Sequence, residues 1–150
     1  MSDVDAACDH ALACTKVAQQ THDPAHHQVA KQAHEVAHAA ATAAGRPSLA
    51  QSHLQLAAGH DQSADPTTPS GKGEVAHNLT LKARQPGSKP EAHDAAAQAH
   101  QDASQAHHDA GNVKQSNNHS MIASDHQSAA SRMRQPPPPR NDAGGPARPW

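Results

Sequence analysis

The scarcity of large apolar side chains limits what this chain can fold into. Its 150 residues include six Leu, one Ile, six Val, no Phe and no Tyr, and the one Trp is the last residue. Leu, Ile, Val and Phe together make up about 9 % of the chain, below the roughly 20 % that is typical of a packed globular core. In their place are 33 Ala and 15 His. A core that encloses an enzyme active site is therefore not expected.

The charge balance allows helices and makes the net charge depend on pH. Lys and Arg number 12 against 14 Asp and Glu, a formal net charge of −2, so self-repulsion does not hold the chain extended. Ala and Gln favour helix, and strands are not expected. Protonation of all 15 His, near pH 6.5, would change the charge from −2 to +13. At neutral pH no strong basic field predicts nucleic-acid binding.

The N-terminal sequence and the cysteines indicate a cytoplasmic protein. Met1 is followed by an acidic segment without the basic and apolar regions of a secretory signal, and no stretch approaches 18 apolar residues. We therefore expect no membrane partner. In a reducing compartment Cys8 and Cys14 are expected to be free thiols.

The chain contains an internal repeat. A shift of 66 residues aligns 24–64 with 90–130 without a gap, and 14 of the 41 aligned positions are identical, including a Pro, a Gly and four His. We interpret the alignment as a tandem duplication, which is the usual origin of a fixed sequence period.

Each copy has the pattern of an αα-hairpin. In the first copy Asp23 and Pro24 mark a helix start, Gly45 marks its end, and a second helix is predicted over about 49–63. In the second copy the helices are predicted to end at Ala110 and near residue 134. The predicted organisation is an N-terminal helix in 1–22, hairpins in 23–64 and 89–134, a linker in 65–88 with a short helix or strand within 74–84, and a disordered Pro-rich tail in 135–150.

Histidines recur every seven residues within both hairpins. Spacings of three and four that sum to seven are typical of coiled-coil core positions, and the return helices keep them, as in His53, Leu56 and His60. We therefore predict a histidine seam between the paired helices. Its members are His27, His34, His53, His60, His93, His100, His107, His119 and His126. Folding at the glycines is expected to set His34 opposite His60, His100 opposite His126 and His107 opposite His119.

A transition-metal site is an alternative interpretation of the histidines, because imidazole is a common ligand of Zn, Cu and Ni. His34 and His38 are one helical turn apart, and His60 lies level with them on the return helix. These three are the candidate ligands, but Ser104 takes the place of His38 in the second copy. Seam histidines that hydrogen-bond one another and set the helix register are the favoured interpretation, with no cofactor.

Opposed histidines also predict pH sensitivity. Two facing imidazoles cannot both become charged without repulsion and desolvation, so we expect stability to fall as the pH drops through about 6. Enzymatic activity is not expected, because little core is present to hold catalytic groups in place.

The repeated unit His-x-x-Ala-x-x-Ala-His, found at 27–34 and 93–100, resembles those of Ala/His-rich heptad-repeat helical proteins of unknown function from bacterial and phage-derived sequences. That resemblance implies no activity and supplies no catalytic residues. The hydrophilic, Ala-rich composition also resembles desiccation-protection proteins of the late-embryogenesis-abundant type, which implies a stress-protective role. Those proteins are built on Lys/Glu-rich repeats, whereas this chain is built on His.

The sequence thus predicts an all-α fold of two tandemly duplicated αα-hairpins, coiled-coil-like or joined as a four-helix bundle. An isolated Ala/His hairpin is marginally stable, since burying a methyl contributes about 0.8 kcal/mol and ordering a residue costs roughly 1.5 kcal/mol. We therefore expect a non-enzymatic structural or interaction module that assembles through the histidine seam, with a second copy or another protein as partner. The alternatives are a histidine-based metal buffer and a hydrophilic stress protectant.

Overall fold

The computed structural model of the chain describes residues 2–136, which form six α-helices and no strand. The helices are α1 (Asp3–Thr21), α2 (Pro24–Ala43), α3 (Pro47–Ala64), α4 (Pro69–Ala83), α5 (Pro90–Asp109) and α6 (Val113–Arg134). The predicted all-α class is confirmed for this range. The predicted tail at 135–150 lies outside the described residues except for Gln135 and Pro136. No helix of the described part combines the length and apolar character that crossing a bilayer requires.

Capping residues, prolines and glycines set the helix ends largely as predicted. The Asp23 side chain accepts a hydrogen bond from the Ala25 backbone N–H at 2.9 Å, and Pro24 occupies the first turn of α2. Gly45 and Gly111 follow α2 and α5 with φ angles of +68° and +77°. This left-handed conformation ends a helix and suits a residue without a Cβ.

The segment 65–88, expected to be a linker, contains the 15-residue helix α4. The Thr68 hydroxyl caps α4 by accepting a hydrogen bond from the Gly71 N–H at 3.0 Å. Two glycines, Gly71 and Gly73, stand near the start of α4 and lower its intrinsic helix propensity. Both are buried against neighbouring elements. The sequence predicted only a short helix or strand within 74–84, whereas the helix begins at Pro69, where tertiary packing offsets the low helix propensity of the glycines.

Each hairpin packs mainly on the helix that precedes it. Helix α2 lies between α1 and α3, and α5 lies between α4 and α6. We call α1–α3 the first unit and α4–α6 the second unit. Contacts between the units are made mainly by α4 with α2 and α3. The two hairpins are therefore not joined directly as a four-helix bundle, because the main contacts between the units are made through α4.

Alanine and histidine form most of the interior, and most of the large aliphatic side chains lie outside it, although Val4 is buried. Ala11, Ala30 and Ala37 are fully buried, whereas Leu12 is 56 % exposed. Leu56, predicted to share the seam with the histidines, is 43 % exposed, so this prediction was wrong. Small side chains at a helix contact let the helix axes approach closely. The interior therefore consists mainly of alanine methyl groups and imidazole rings.

Candidate functional site: two buried histidine networks

The structure brings the predicted seam histidines into the interior of the two units. Eight of the nine are buried, and His93 is half-buried. His34 and His100, on the central helices α2 and α5, are the largest side chains that are fully buried. Buried polar groups need hydrogen-bond partners, so the contacts of these imidazoles decide whether they stabilise the fold.

Four imidazoles and one hydroxyl form a continuous set of contacts in the first unit. His34 Nδ1 lies 2.8 Å from His53 Nδ1, and His34 Nε2 lies 2.8 Å from Thr15 Oγ1. The same Thr15 oxygen is 3.0 Å from His60 Nε2, and His60 Nδ1 is 2.9 Å from His27 Nδ1. We call these five residues the first histidine network. It connects all three helices of the unit.

The second unit has the same arrangement. His100 Nδ1 lies 2.8 Å from His119 Nδ1, and Thr80 Oγ1 lies 2.9 Å from both His100 Nε2 and His126 Nε2. His126 Nδ1 is 2.9 Å from His93 Nδ1. These five residues form the second histidine network, and the same ring nitrogens make the contacts in both networks.

The hydrogen-bonded pairs differ from the pairs that the sequence predicted to face each other. His34 and His60 are stacked with ring centroids 5.5 Å apart, and His107 and His119 are stacked at 5.3 Å. The hydrogen bond of His34 goes instead to His53, one heptad away from His60. Counting residues from the loop glycine estimates which residues of the two helices lie at the same height. The estimate does not distinguish a residue from its neighbour one heptad away.

Sequence reasoning missed the two threonines that bridge the histidines. Thr15 and Thr80 are 65 residues apart, whereas the hairpins repeat at 66. The buried pair Ala11 and Ala76 has the same spacing of 65. A search for matches at neighbouring shifts would have extended the repeat to three helices. Between the aligned positions of the first and second helices, the second unit therefore has one residue more than the first.

The predicted metal ligands His34, His38 and His60 are not brought together as a site. His38 Nδ1 donates a hydrogen bond to the Ala50 carbonyl at 2.9 Å. In the second unit the Ser104 hydroxyl donates to the Ser116 carbonyl, also at 2.9 Å, at the corresponding positions. His38 therefore connects α2 to α3, and Ser104 connects α5 to α6 at the corresponding positions.

A wider set of metal ligands is likewise not found in the described range. Within residues 2–136 no group of three or more His, Cys, Asp or Glu side chains is placed to hold a metal ion.

Burial keeps the central imidazoles neutral. Desolvation, with the nearby His53 and His60, lowers the pKa of His34 to about 4. Desolvation and the neighbouring His77 and His119 lower the pKa of His100 to about 3.

The histidines around these two are shifted in the same direction. Burial lowers the pKa of His119 to about 4, again with His77 as a neighbour. Desolvation also lowers the pKa of His53, His60, His107 and His126. Near neutral pH these seven histidines are therefore uncharged.

A carboxylate at one end determines the direction of the hydrogen bonds in the first network. Glu74 Oε2 lies 2.8 Å from His22 Nδ1 and 3.3 Å from His27 Nε2, a charge contact rather than an aligned hydrogen bond. A carboxylate oxygen only accepts, so we assign the hydrogen of His27 to Nε2. His27 Nδ1 must then accept a hydrogen bond from His60 Nδ1–H.

The remaining hydrogens follow from one N–H per neutral imidazole. The Thr15 hydroxyl donates to His60 Nε2 and accepts from His34 Nε2–H. His53 Nδ1–H donates to His34 Nδ1, which leaves His53 Nε2 as the acceptor of the Cys8 S–H, with Sγ 3.1 Å away. Every donor in the first network thus faces an acceptor except His27 Nε2–H, which lies near the Glu74 carboxylate without an aligned hydrogen bond.

The second network lacks the thiol and has additional imidazoles around it. Gly73 is 65 residues after Cys8, and a Cβ added to it would lie 3.2 Å from His119 Nε2. The His77 ring lies 5.1 Å from that of His100 and 5.3 Å from that of His119. His107 stacks on the other side of His119. Six imidazoles therefore share this interior, and the lowest pKa is found there.

Such a network can respond to protons. Protonating an imidazole turns its acceptor nitrogen into a donor, which sets one N–H against another at about 2.8 Å. The added charge also has to be desolvated in a buried site. Uptake of a single proton therefore breaks the contact at the ring nitrogen that had accepted a hydrogen bond.

Comparisons with family models, with curated protein sequences and with solved structures find no match to this chain.

Proposed function

We propose that this chain is a non-enzymatic helical interaction module that holds its fold while its buried histidines are neutral and opens when they take up protons. The two histidine networks carry this proposal. Each one connects the three helices of its unit through contacts that require uncharged rings, and few large apolar side chains are present to hold the helices otherwise.

We further propose that the two hairpins, α2–α3 and α5–α6, are tandem copies, each extended by a preceding helix. The alignment at a shift of 66 residues and the matching hydrogen bonds support this interpretation. So does the pairing of His38 with Ser104, which differ in chemistry yet bond to the carbonyl at the same position. A duplication would explain why both networks use the same nitrogens.

Charged groups around the networks modify their response to acid. Near the first network, the Glu74 carboxylate opposes the lowering of the His60 pKa, and His38 adds to the lowering of the His53 pKa. Near the second network, the Arg84 guanidinium adds to the lowering of the pKa of His100 and His126.

Two further groups face the second network. Asp125 raises the pKa of His126 and so opposes the effect of burial. His77 has a lowered pKa of its own, caused first by desolvation and next by His22. The second unit combines more imidazoles with a cation, so we expect it to open first.

The size of the acid effect follows from the pKa values. A histidine with a pKa near 6.5 in the unfolded chain and about 4 in the fold binds protons mainly in the unfolded state at pH 5, which lowers stability by about 2 kcal/mol. His34, His100 and His119 all have lowered pKa values, so together they lower the stability at pH 5 by several kcal/mol. A small domain has a total stability of roughly 5 to 15 kcal/mol. Stability is therefore full above about pH 7 and is lost as the pH falls from about 6.5 towards 4.

The test is urea denaturation, followed by far-ultraviolet circular dichroism, at pH 7.5 and pH 5.0. We expect the free energy of unfolding to fall by several kcal/mol between these values, or helicity to be lost at pH 5.0 without urea. His108→Gln is the matched control, since that side chain is 69 % exposed and the variant should keep the full pH dependence. His100→Gln should reduce the difference between the two pH values by about 2 kcal/mol. Equal stability of the unmodified chain at both pH values would refute the proposal.

A further inference from the structure

The contact between the two units contains a docking arrangement for a helix. Helix α4 crosses the end of the first unit, where α1 stops and α2 begins. There Glu74 contacts His22 and His27, as described above, and Asn78 Nδ2 donates to the Thr21 carbonyl at 3.0 Å. A carboxylate near the start of the second helix of the unit is the main polar feature of this contact.

Helix α1 presents the corresponding face to solvent. At the shift of 65 residues, Glu74, His77 and Asn78 correspond to Asp9, Leu12 and Ala13. The three α4 residues are partly buried, whereas the three α1 residues are exposed. Helix α1 therefore retains the carboxylate and an apolar neighbour, Leu12, on a face that nothing within residues 2–136 covers.

The second unit has an open end that corresponds to the surface covered by α4 in the first unit. At a shift of 66, Lys89 and His93 take the places of Asp23 and His27 at the start of the second helix. Lys89 is exposed and His93 is half-buried. An acidic residue in the first unit is thus replaced by a basic one in the second.

This end of the second unit is basic. Helix α4 ends there, α5 begins there, and the contact of Arg134 with Asp94 brings the last turn of α6 to the same place. The exposed basic residues are Lys82, Arg84, Lys89, Arg132 and Arg134, against the acidic Glu91 and Asp94. The first turns of α1, by contrast, carry Asp3, Asp5 and Asp9.

We propose that the exposed face of α1 docks on the basic end of the second unit of another copy, so that copies associate head to tail with Asp9 beside Lys89 and His93. A second copy is the occupant because the chain already makes a version of this contact internally, and because the two surfaces have opposite charge. The two surfaces differ, so the interface is heterologous and adds copies into open filaments or closed rings. This inference rests on the proposed role as an interaction module and names its partner.

The experiment is sedimentation velocity of the full chain over a range of concentrations at pH 7.5, in low and high salt. We expect species larger than a dimer that grow with concentration and shrink at high salt, because exposed charge pairs are screened. Asp9→Lys and Lys89→Glu should each leave mostly monomer, and a 1:1 mixture of the two variants should associate again. Both positions are exposed, so helicity should be unchanged, and circular dichroism checks this. Lys114→Glu on α6 is the control and should associate like the unmodified chain.

The outcomes separate this inference from the proposed function. A monomer at all concentrations would overturn the docking surface but not the pH response, which the urea experiment measures independently. A dimer that does not grow further would also overturn it, since a self-complementary interface would then be present. Association that persists in both single variants, or a mixture that stays monomeric, would place the contact elsewhere.

Discussion

The bridging threonine of the second network allows the sharpest test of the histidine contacts. Thr80 is 6 % exposed, and its hydroxyl lies 2.9 Å from one nitrogen each of His100 and His126. Thr80→Val keeps the shape of the side chain and removes the hydroxyl, so both nitrogens lose their partner in a buried site. Each stranded polar group costs about 1 to 3 kcal/mol, so we expect a loss of about 2 to 6 kcal/mol in the free energy of unfolding. Urea denaturation at pH 7.5, followed by far-ultraviolet circular dichroism, measures this loss.

Two further variants make the result specific to the hydroxyl. Thr80→Ser keeps the bridging oxygen and removes one methyl, which costs about 1 kcal/mol. Thr15→Val removes the bridge in the first network, but Thr15 is only partly buried and we expect a smaller loss there. If the free energies of unfolding of Thr80→Val and Thr80→Ser differed by less than about 1 kcal/mol, the bridge between the two imidazoles by the hydroxyl would be refuted.

Other substitutions test the packing around the networks in the same urea assay. Gly59→Ala should stabilise the chain by about 1 kcal/mol, because this helical glycine has open space around it. Gly71→Ala should instead destabilise the chain by about 1 to 3 kcal/mol, since a Cβ there would collide with the Asp65 carbonyl. A gain in stability would contradict the close approach of Gly71 to that carbonyl. Ser104→Ala should cost about 1 to 2 kcal/mol by leaving the Ser116 carbonyl without its side-chain donor, and an unchanged midpoint would count against that contact.

Local residue chemistry made most of the helices predictable. Asp23, Pro24, Gly45 and Gly111 act through their own backbone preferences, so their effect can be recognised without knowing what surrounds them. Helix α4 shows the limit of this approach. The sequence predicted only a short helix or strand within 74–84, because the glycines at the start of α4 have low helix propensity. The neighbouring helices that stabilise this start come from elsewhere in the chain.

Composition and heptad spacing also indicated that histidine and alanine would fill the interior, because histidine recurs at heptad spacing and large apolar residues are scarce. They did not decide which imidazoles bond to each other. The pairing of the imidazoles depends on how far one helix is shifted along its axis relative to its neighbour. This shift is less than one heptad, and the sequence pattern does not encode it. The assignment of Leu56 to the interior was wrong for a related reason. The heptad pattern does not decide whether Leu56 or the adjacent Ala57 faces the neighbouring helix, and in the structure Ala57 is the buried residue.

The sequence by itself determined that this chain is helical, contains two similar hairpins and buries histidine, because propensity, repeat spacing and the scarcity of large apolar residues act along the chain. Only the tertiary structure decided that each hairpin takes a third helix and that Thr15 and Thr80 complete the networks. It also placed Cys8 and Glu74 at opposite ends of the first network. These contacts join residues far apart in the chain, and they depend on how three helices pack together.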